Sequence, residues 1–284
     1  MVEETYTQRG RLQLQVSLSN DEKTSFICAA LIRKAFTPFT KCQVLLVEIE
    51  DVPVRAGLPN LLIAKIYDPR FNYERAMPLP RQYPIPWSAA NEKAAADRRT
   101  LAPGDDNSRV PQWEREFLDG SLWEETYYRE YEDSFAREVE AYRRLGHLQG
   151  SAIPRLYGSG RVVSGHGEGR AISPRVLFME YIPGENLATT QDPRLVPSSA
   201  YQELVKAVNT LASFGVIHTD MRPDNIVVSN NHPRRAVLID FGLCVFRSDE
   251  PDDKWKEAVV CEGDERQLKR YMETLGIWHQ EWDA

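Results

Sequence analysis

Two short runs of apolar, mostly β-branched residues, Ile226-Val227-Val228 and Val237-Leu238-Ile239, flank a polar segment that contains His232 and Pro233. That pattern allows little beyond two strands, one reversal and an antiparallel hairpin. With the turn centred near His232-Pro233, the register sets Asn225 opposite Asp240 at the open end. Directly opposed residues have Cβ atoms roughly 4.5–5.5 Å apart, so an amide oxygen and a carboxylate there suit one hard cation. Mg2+ takes oxygen ligands in near-octahedral order and commonly completes its shell with water and phosphate oxygens. Asp220 lies just upstream, placed to act on a hydroxyl brought to such a phosphate.

The run His218-Thr219-Asp220-Met221-Arg222-Pro223-Asp224-Asn225, followed by Ile239-Asp240-Phe241-Gly242, resembles the protein-kinase-like fold. Its catalytic loop reads H-x-D-x-x-x-x-N and its metal loop D-F-G. The resemblance implies an α+β, two-lobed protein-kinase-like fold. A β-rich N-lobe would occupy residues 1–182, with an insert at about 68–133, and a truncated helical C-lobe would occupy 183–284 and hold both motifs. ATP and Mg2+ are the implied cofactors, with Asp220 as catalytic base and Asn225 and Asp240 as metal ligands. Arg222 stands where protein kinases usually carry a lysine, and its planar fork suits a transferring phosphate. His218 is expected to be structural. Thr219 replaces the arginine of H-R-D and no A-P-E segment follows, so control by activation-loop phosphorylation is not expected.

Upstream, residues 11–17, 25–33, 43–50 and 60–67 read as strands, with a polar turn at 20–23. On the fourth, Lys65 lies in Ile63-Ala64-Lys65-Ile66, where the family carries V-A-I-K and the lysine that contacts ATP phosphates. Glu138, on a helix opening at Ser134, stands where the family's helix glutamate pairs with that lysine; Glu140 lies two residues round the helix. The segment in place of the glycine-rich phosphate loop, residues 37–44, has no glycine. Close backbone approach is therefore not available in the usual way, and the hydroxyls of Thr37 and Thr40, or Lys41, substitute in part before Val44. By the same resemblance Met179 borders the adenine pocket, while the Glu180 carbonyl and Ile182 amide hydrogen-bond the base. Residues 158–169 are glycine-rich but lack the Gly-Lys-Ser/Thr ending of a P-loop, and read as a flexible hairpin turn.

The insert is rich in Pro and Arg in its first half and partly helical in its second. Trp113, Phe117, Trp123, Tyr127, Tyr128 and Tyr131 approximate a helical stripe broken near Gly120, the pattern of core packing. After it come a helix over 200–214 closed by Gly215, an acidic turn at 249–253 and one helix over 262–275, packed by Trp278 and Trp282.

A net charge of −7 excludes a general binder of nucleic acid or anionic membrane. No apolar run approaches the ~20 residues that span a bilayer, and the polar N-terminus does not read as a secretory leader. The cysteines, Cys28, Cys42, Cys244 and Cys261, lack metal-type spacing. These features place the chain in the cytoplasm. The expected activity is Mg-ATP-dependent transfer of the γ-phosphoryl group to a hydroxyl of a small molecule or a specialised protein. The alternatives are a pseudokinase scaffold, or ATP used for nucleotidyl transfer, cyclisation or dehydration, since those chemistries share the same phosphate and metal ligands.

Overall fold

In residues 11–18 every second side chain is buried, Leu12, Leu14, Val16 and Leu18, as a strand with one face on a core requires. In the computed structural model this segment, β1 (Arg11–Leu18), belongs to a closed six-stranded barrel. The structure describes residues 5–19, 21–50, 57–75, 85–101, 119–163 and 169–279. The chain divides into two compact units, Met1–Phe135 with Tyr157–Met179, and Ala136–Leu156 with Glu180–Ala284. Strands dominate the first and helices are prominent in the second, an α+β content.

The barrel of the first unit is completed by β2 (Asp21–Ala35), β3 (Gln43–Glu50), β4 (Leu61–Tyr67), β5 (Leu156–Val162) and β6 (Arg175–Met179). Their order is β1-β2-β3-β4-β6-β5, with β5 pairing back onto β1. Its interior is apolar and mainly aliphatic, with Leu14, Ile32, Leu45, Val47 and Leu62 beside the Phe178 ring. Two local expectations are corrected here. The polar turn placed at 20–23 is tighter, because β2 already begins at Asp21. Gly158 and Gly160 are not turn residues: they lie in β5, where an added Cβ would overlap the Ser17 and Gln15 carbonyls of β1. Glycine is needed there for the approach of two backbones, not for a bend.

The insert is anchored by buried charge. Asp68, at the end of β4, is fully buried and receives Arg70 at 2.7 and 2.9 Å, Arg170 at 3.2 Å and the Tyr6 hydroxyl at 2.9 Å. Arg170 also donates to Glu92 of α1 (Ala89–Leu101), which accepts from the Ala171 amide and the Trp87 indole as well. Arg75 forms a bidentate pair with Glu124 at 2.9 and 2.7 Å and lies over the Tyr127 ring. Trp123, Tyr127 and Tyr131 are buried, as the aromatic stripe predicts, whereas Trp113 and Phe117 lie outside the described residues. The part of the stripe after Gly120 lies on α2, which runs from Gly120 to Arg144 and so opens well before Ser134.

In the second unit α3 (Ser198–Leu211) buries Tyr201, Leu204, Val205, Val208 and Leu211 on one stripe. It tightens into a 3-10 turn and ends at Gly215, whose φ of 68° suits a residue without Cβ. Short strands follow: β7 (Gly184–Asn186), β8 (Val216–Ile217), β9 (Ile226–Ser229), β10 (Ala236–Leu238) and β11 (Val245–Phe246). They form a β10-β9-β7 sheet and a β11-β8 pair. The C-terminal expectation is corrected: residues 252–262 are helical, α4 (Asp252–Glu262), and α5 (Asp264–Thr274) is separate. Gly263, with φ 64°, turns the chain between them. Trp282 lies outside the described residues. No helix among the described residues is long and apolar enough to cross a membrane.

Burial alone would push the Asp68 carboxyl up, but Arg170 and Arg70 beside it override that and hold it below the ordinary value. Replacing Asp68 with Ala leaves two guanidinium groups without their shared acceptor and is expected to cost about 3–5 kcal/mol in urea denaturation at neutral pH. Because the folded value lies below the unfolded one, about 3.9, the carboxylate's contribution is complete above that pH. It is lost as pH falls through the folded value, so the gap between wild type and D68A narrows on acidification.

Candidate functional site

His218 is completely buried, and its surroundings fix its tautomer. Nε2 lies 3.1 Å from the Ile239 carbonyl and Nδ1 accepts the Asp220 amide at 3.3 Å, so the ring is neutral with its proton on Nε2. The ring packs edge-on against Phe241 at 4.9 Å, and Phe241 in turn against Tyr142 at 5.5 Å. Below the loop, the Asp264 carboxylate at the start of α5 accepts the His218 amide at 2.6 Å and the Thr219 amide at 3.1 Å. Thr219 sits at φ 62° and its hydroxyl donates to the Leu243 carbonyl at 2.9 Å. A backbone in that region is costly for a threonine. It persists here because Asp264 and Leu243 hold both sides of the residue.

This scaffold aims three polar side chains. Asn225 donates its amide to the Asp220 carbonyl at 2.9 Å and to Asp220 Oδ2 at 2.8 Å, which fixes the carboxylate rotamer. Its amide oxygen is thereby turned away from Asp220. Arg222 reaches Asp220 Oδ2 at 3.7 Å and stays half exposed. The hairpin register differs by one residue from the sequence expectation. Ile226 pairs with Leu238, and the Ile239 amide donates to the Asn225 carbonyl at 2.9 Å, so Asn225 faces Ile239 rather than Asp240. Asp240 leaves the ladder at φ 66° and accepts the Gly242 amide at 3.4 Å. It is the residue immediately past the paired end, after Ile239. Among the described residues no three His, Cys, Asp or Glu groups cluster as a metal site.

Glu138 is fully buried on α2, whereas Glu140 is held in an exposed pair with Arg143 and Arg144. Hydrogen bonds from Arg143, aided by Arg144, bring the Glu140 carboxyl down to about 2. The two glutamates therefore face different surroundings, as their helical offset requires. Glu180 makes contacts that the sequence hides. Its carboxylate accepts Arg235 at 2.7 Å and the Arg155 amide at 3.1 Å, while its own amide donates to the Arg155 carbonyl. Ile182, next along the strand end, is buried.

In the first unit Lys65 is buried on β4, between Val44 of β3 and Leu177 of β6 in register, with its ammonium 5.8 Å from the Tyr67 ring centre. Met179 ends β6 opposite Ile63. The glycine-free connection of β2 and β3 is tied down. The Thr40 carbonyl accepts the Tyr73 amide at 3.3 Å, and Phe39 packs edge-on against Phe71, which meets Tyr6. Thr37 and Thr40 themselves are exposed.

Asp264, Tyr142 and the Glu180–Arg235 pair escape sequence reasoning. An acidic residue after glycine at a helix start reads as a local cap, and nothing in it marks a reach of 46 residues. Asp264→Ala is expected to cost about 2–3 kcal/mol, since hydrogen bonds to a charged acceptor are worth roughly 1.5–3 kcal/mol. Faster hydrogen exchange at the His218 and Thr219 amides should accompany it, with Asp264→Asn milder in both measurements.

Residues 170–272 match the ABC1 atypical kinase-like domain, a span that runs from before β6 into the last turn of α5 and contains His218, Asp220, Asn225, Asp240 and Asp264. The chain is also 36% identical over 77 residues to Serine/threonine-protein kinase ppk34 of Schizosaccharomyces pombe, covering 25% of this chain and 21% of that protein. It is 31% identical over 114 residues to maternal embryonic leucine zipper kinase of Xenopus laevis, covering 38% and 15%. With a probable serine/threonine-protein kinase, PkwA, of Thermomonospora curvata it shares 31% identity over 119 residues, covering 40% and 14%. The chain thus spans about a fifth or less of the length of these curated relatives. The protein-kinase-like resemblance carried by the two motifs holds, and over residues 170–272 the chain is similar to the ABC1 atypical kinase-like domain.

Proposed function

We propose that the protein is a two-lobed kinase-like phosphotransferase that moves the γ-phosphoryl group of ATP to a hydroxyl of a small molecule or a specialised protein. The observation that supports this most is the Asn225 amide on Asp220, 2.8 Å from Oδ2, in a loop held from below by Asp264. A carboxylate held in one rotamer with its other oxygen unengaged by Asn225 is suited to accept a proton from an acceptor hydroxyl. Asn225 has its amide oxygen turned away from Asp220, and Asp240 has its carboxylate just past the hairpin; together they fit Mg2+, whose shell phosphates and water would complete. A bound Mg2+ would supply neutralisation of charge on the phosphate oxygens.

The remaining roles follow from residue chemistry. Lys65, with Glu138 as its partner, serves the α- and β-phosphates, and its burial on β4 limits the freedom of its long side chain. Arg222 is mobile enough, half exposed and 3.7 Å from Asp220, to turn from that carboxylate to the transferring phosphate. Met179 and the backbone of Glu180 and Ile182 serve the base. Thr37, Thr40 and Val44 stand where the phosphate loop would be, offering two exposed hydroxyls.

One observation favours a second reading, an ATP-independent docking protein. The β2–β3 connection is held by Phe39, Phe71 and the Thr40–Tyr73 bond, where a phosphate loop in action needs a close, adaptable backbone. ATP turnover with Mg2+ separates the two. Slow formation of ADP, reduced at least about 100-fold by Asp220→Asn and by Asp240→Asn, supports phosphotransfer. AMP with pyrophosphate indicates nucleotidyl chemistry instead. No turnover and no thermal shift with Mg-ATP supports the docking protein.

A further inference from the structure

Glu180 is bound through both carboxylate oxygens and its amide, and every partner lies in the second unit. Oε1 accepts Arg235 Nη2 at 2.7 Å, Oε2 accepts the Arg155 amide at 3.1 Å, and the Glu180 amide donates to the Arg155 carbonyl at 2.9 Å. Arg235 places its other prong, Nη1, on the Gly150 carbonyl. The turn that offers these partners is itself fixed. The Gly150 amide donates to the Ile153 carbonyl at 2.8 Å, and the Ala152 carbonyl accepts the Leu238 amide of β10 at 2.8 Å. Glu180 is thus pinned to a block made of the 150–155 turn and β10, the strand that leads to Asp240. The two side chains of the ion pair are only 18% and 26% exposed, so water screens it less than an open surface pair.

The chain is tied again at Pro183, whose carbonyl accepts the Asn230 amide at 2.7 Å. Between these ties the Glu180 carbonyl and the Ile182 amide have no hydrogen-bond partner among the described residues. An open acceptor and an open donor two residues apart match the N6 amino donor and N1 acceptor on the pairing edge of adenine. Guanine, with an O6 acceptor and an N1 donor, presents the reverse order.

We propose that the Glu180 carboxylate is a positioning residue of the nucleotide site, which holds the 180–182 backbone so that this carbonyl and amide meet the base and set a preference for adenine. This rests on the nucleotide-binding part of the phosphotransferase reading. A carboxylate is required because it accepts at both oxygens, whereas a glutamine amide would turn a donor toward Arg235 or toward the Arg155 amide. Arginine is required because its fork reaches Glu180 and Gly150 at once, and a lysine ammonium is only a point charge. A pair that served stability alone would lower the unfolding temperature when broken and leave recognition of the base unchanged.

Calorimetry on the purified protein compares Mg-ATP, Mg-GTP and Mg-tripolyphosphate, which has no base, with thermal unfolding read in parallel. Wild type is expected to bind ATP at least about tenfold more tightly than GTP or tripolyphosphate, the discrimination that a well-placed pair of hydrogen bonds to a base gives. Glu180→Gln and Arg235→Gln should each weaken ATP about five- to tenfold and tripolyphosphate less than about twofold, with Arg235→Lys between them and wild type. In turnover, KM for ATP should rise more than kcat falls. The two Gln variants break one bond from opposite sides, so either carries the test if the other fails to fold. Equal weakening of ATP and tripolyphosphate overturns the positioning role, as does an unchanged ratio of ATP to GTP affinity. Wild type that binds tripolyphosphate as tightly as ATP overturns base reading by the 180–182 backbone. Wild type that binds none of the three overturns the nucleotide reading, and the clamp with it. ATP binding that depends on Glu180 without any turnover overturns phosphotransfer alone and supports the clamp.

Discussion

The His218 and Thr219 amides reach Asp264 across 46 and 45 residues of chain, and the geometry of the candidate site follows from those two bonds. They fix the loop backbone where Thr219 takes a left-handed conformation. That conformation points Asp220 toward Asn225 and sets the His218 ring between the Ile239 carbonyl and the Asp220 amide. Phe241 then closes on His218, and Tyr142 on Phe241, so one apolar stack joins α2, the loop and the turn after the hairpin. Loosening Asp264 should disturb every member of this chain of contacts, because each is oriented by the one before it.

The first unit solves a different problem. Its barrel needs only alternating apolar residues, but the insert brings Asp68, Glu92, Glu124, Arg70 and Arg75 into places with little water, where Arg170 joins them. Charges so placed are tolerable only when every one has a partner. Here Asp68 takes Arg70 and Arg170, Glu92 shares Arg170, and Glu124 takes Arg75. The geometry this enforces extends to the glycine-free connection of β2 and β3, since Phe71 and Tyr73 hold Phe39 and Thr40.

Strands with strict alternation and the α3 stripe were legible because burial imposes a period on the residues themselves. The two motifs were recognisable by their spacing, and within the first of them Asn225 lies in hydrogen-bond contact with Asp220. The hairpin register was not, since pattern alone locates a turn only to within a residue, and Asp240 leaves the ladder one step earlier than symmetry about His232-Pro233 implies. Gly158 and Gly160 misled for a related reason: a glycine marks equally a bend or a close crossing, and the Ser17 and Gln15 carbonyls that decide the matter are distant in sequence. The separation of α4 from α5 turns on the single left-handed Gly263, in a stretch whose polar composition carries little periodic signal. Asp264 was invisible because its partners are backbone amides, which leave no trace in the sequence.

The proposed role of Asn225 and Asp240 is to hold a metal nucleotide. Paramagnetic Mn2+ substituted for Mg2+ tests it directly, by selective broadening of backbone and side-chain amide resonances when ATP is present. The account predicts that the Asn225 side-chain amide and the Asp240 and Gly242 backbone amides broaden first, and that Asp240→Asn removes the effect. Broadening centred elsewhere, or none at saturating Mn-ATP, would contradict it.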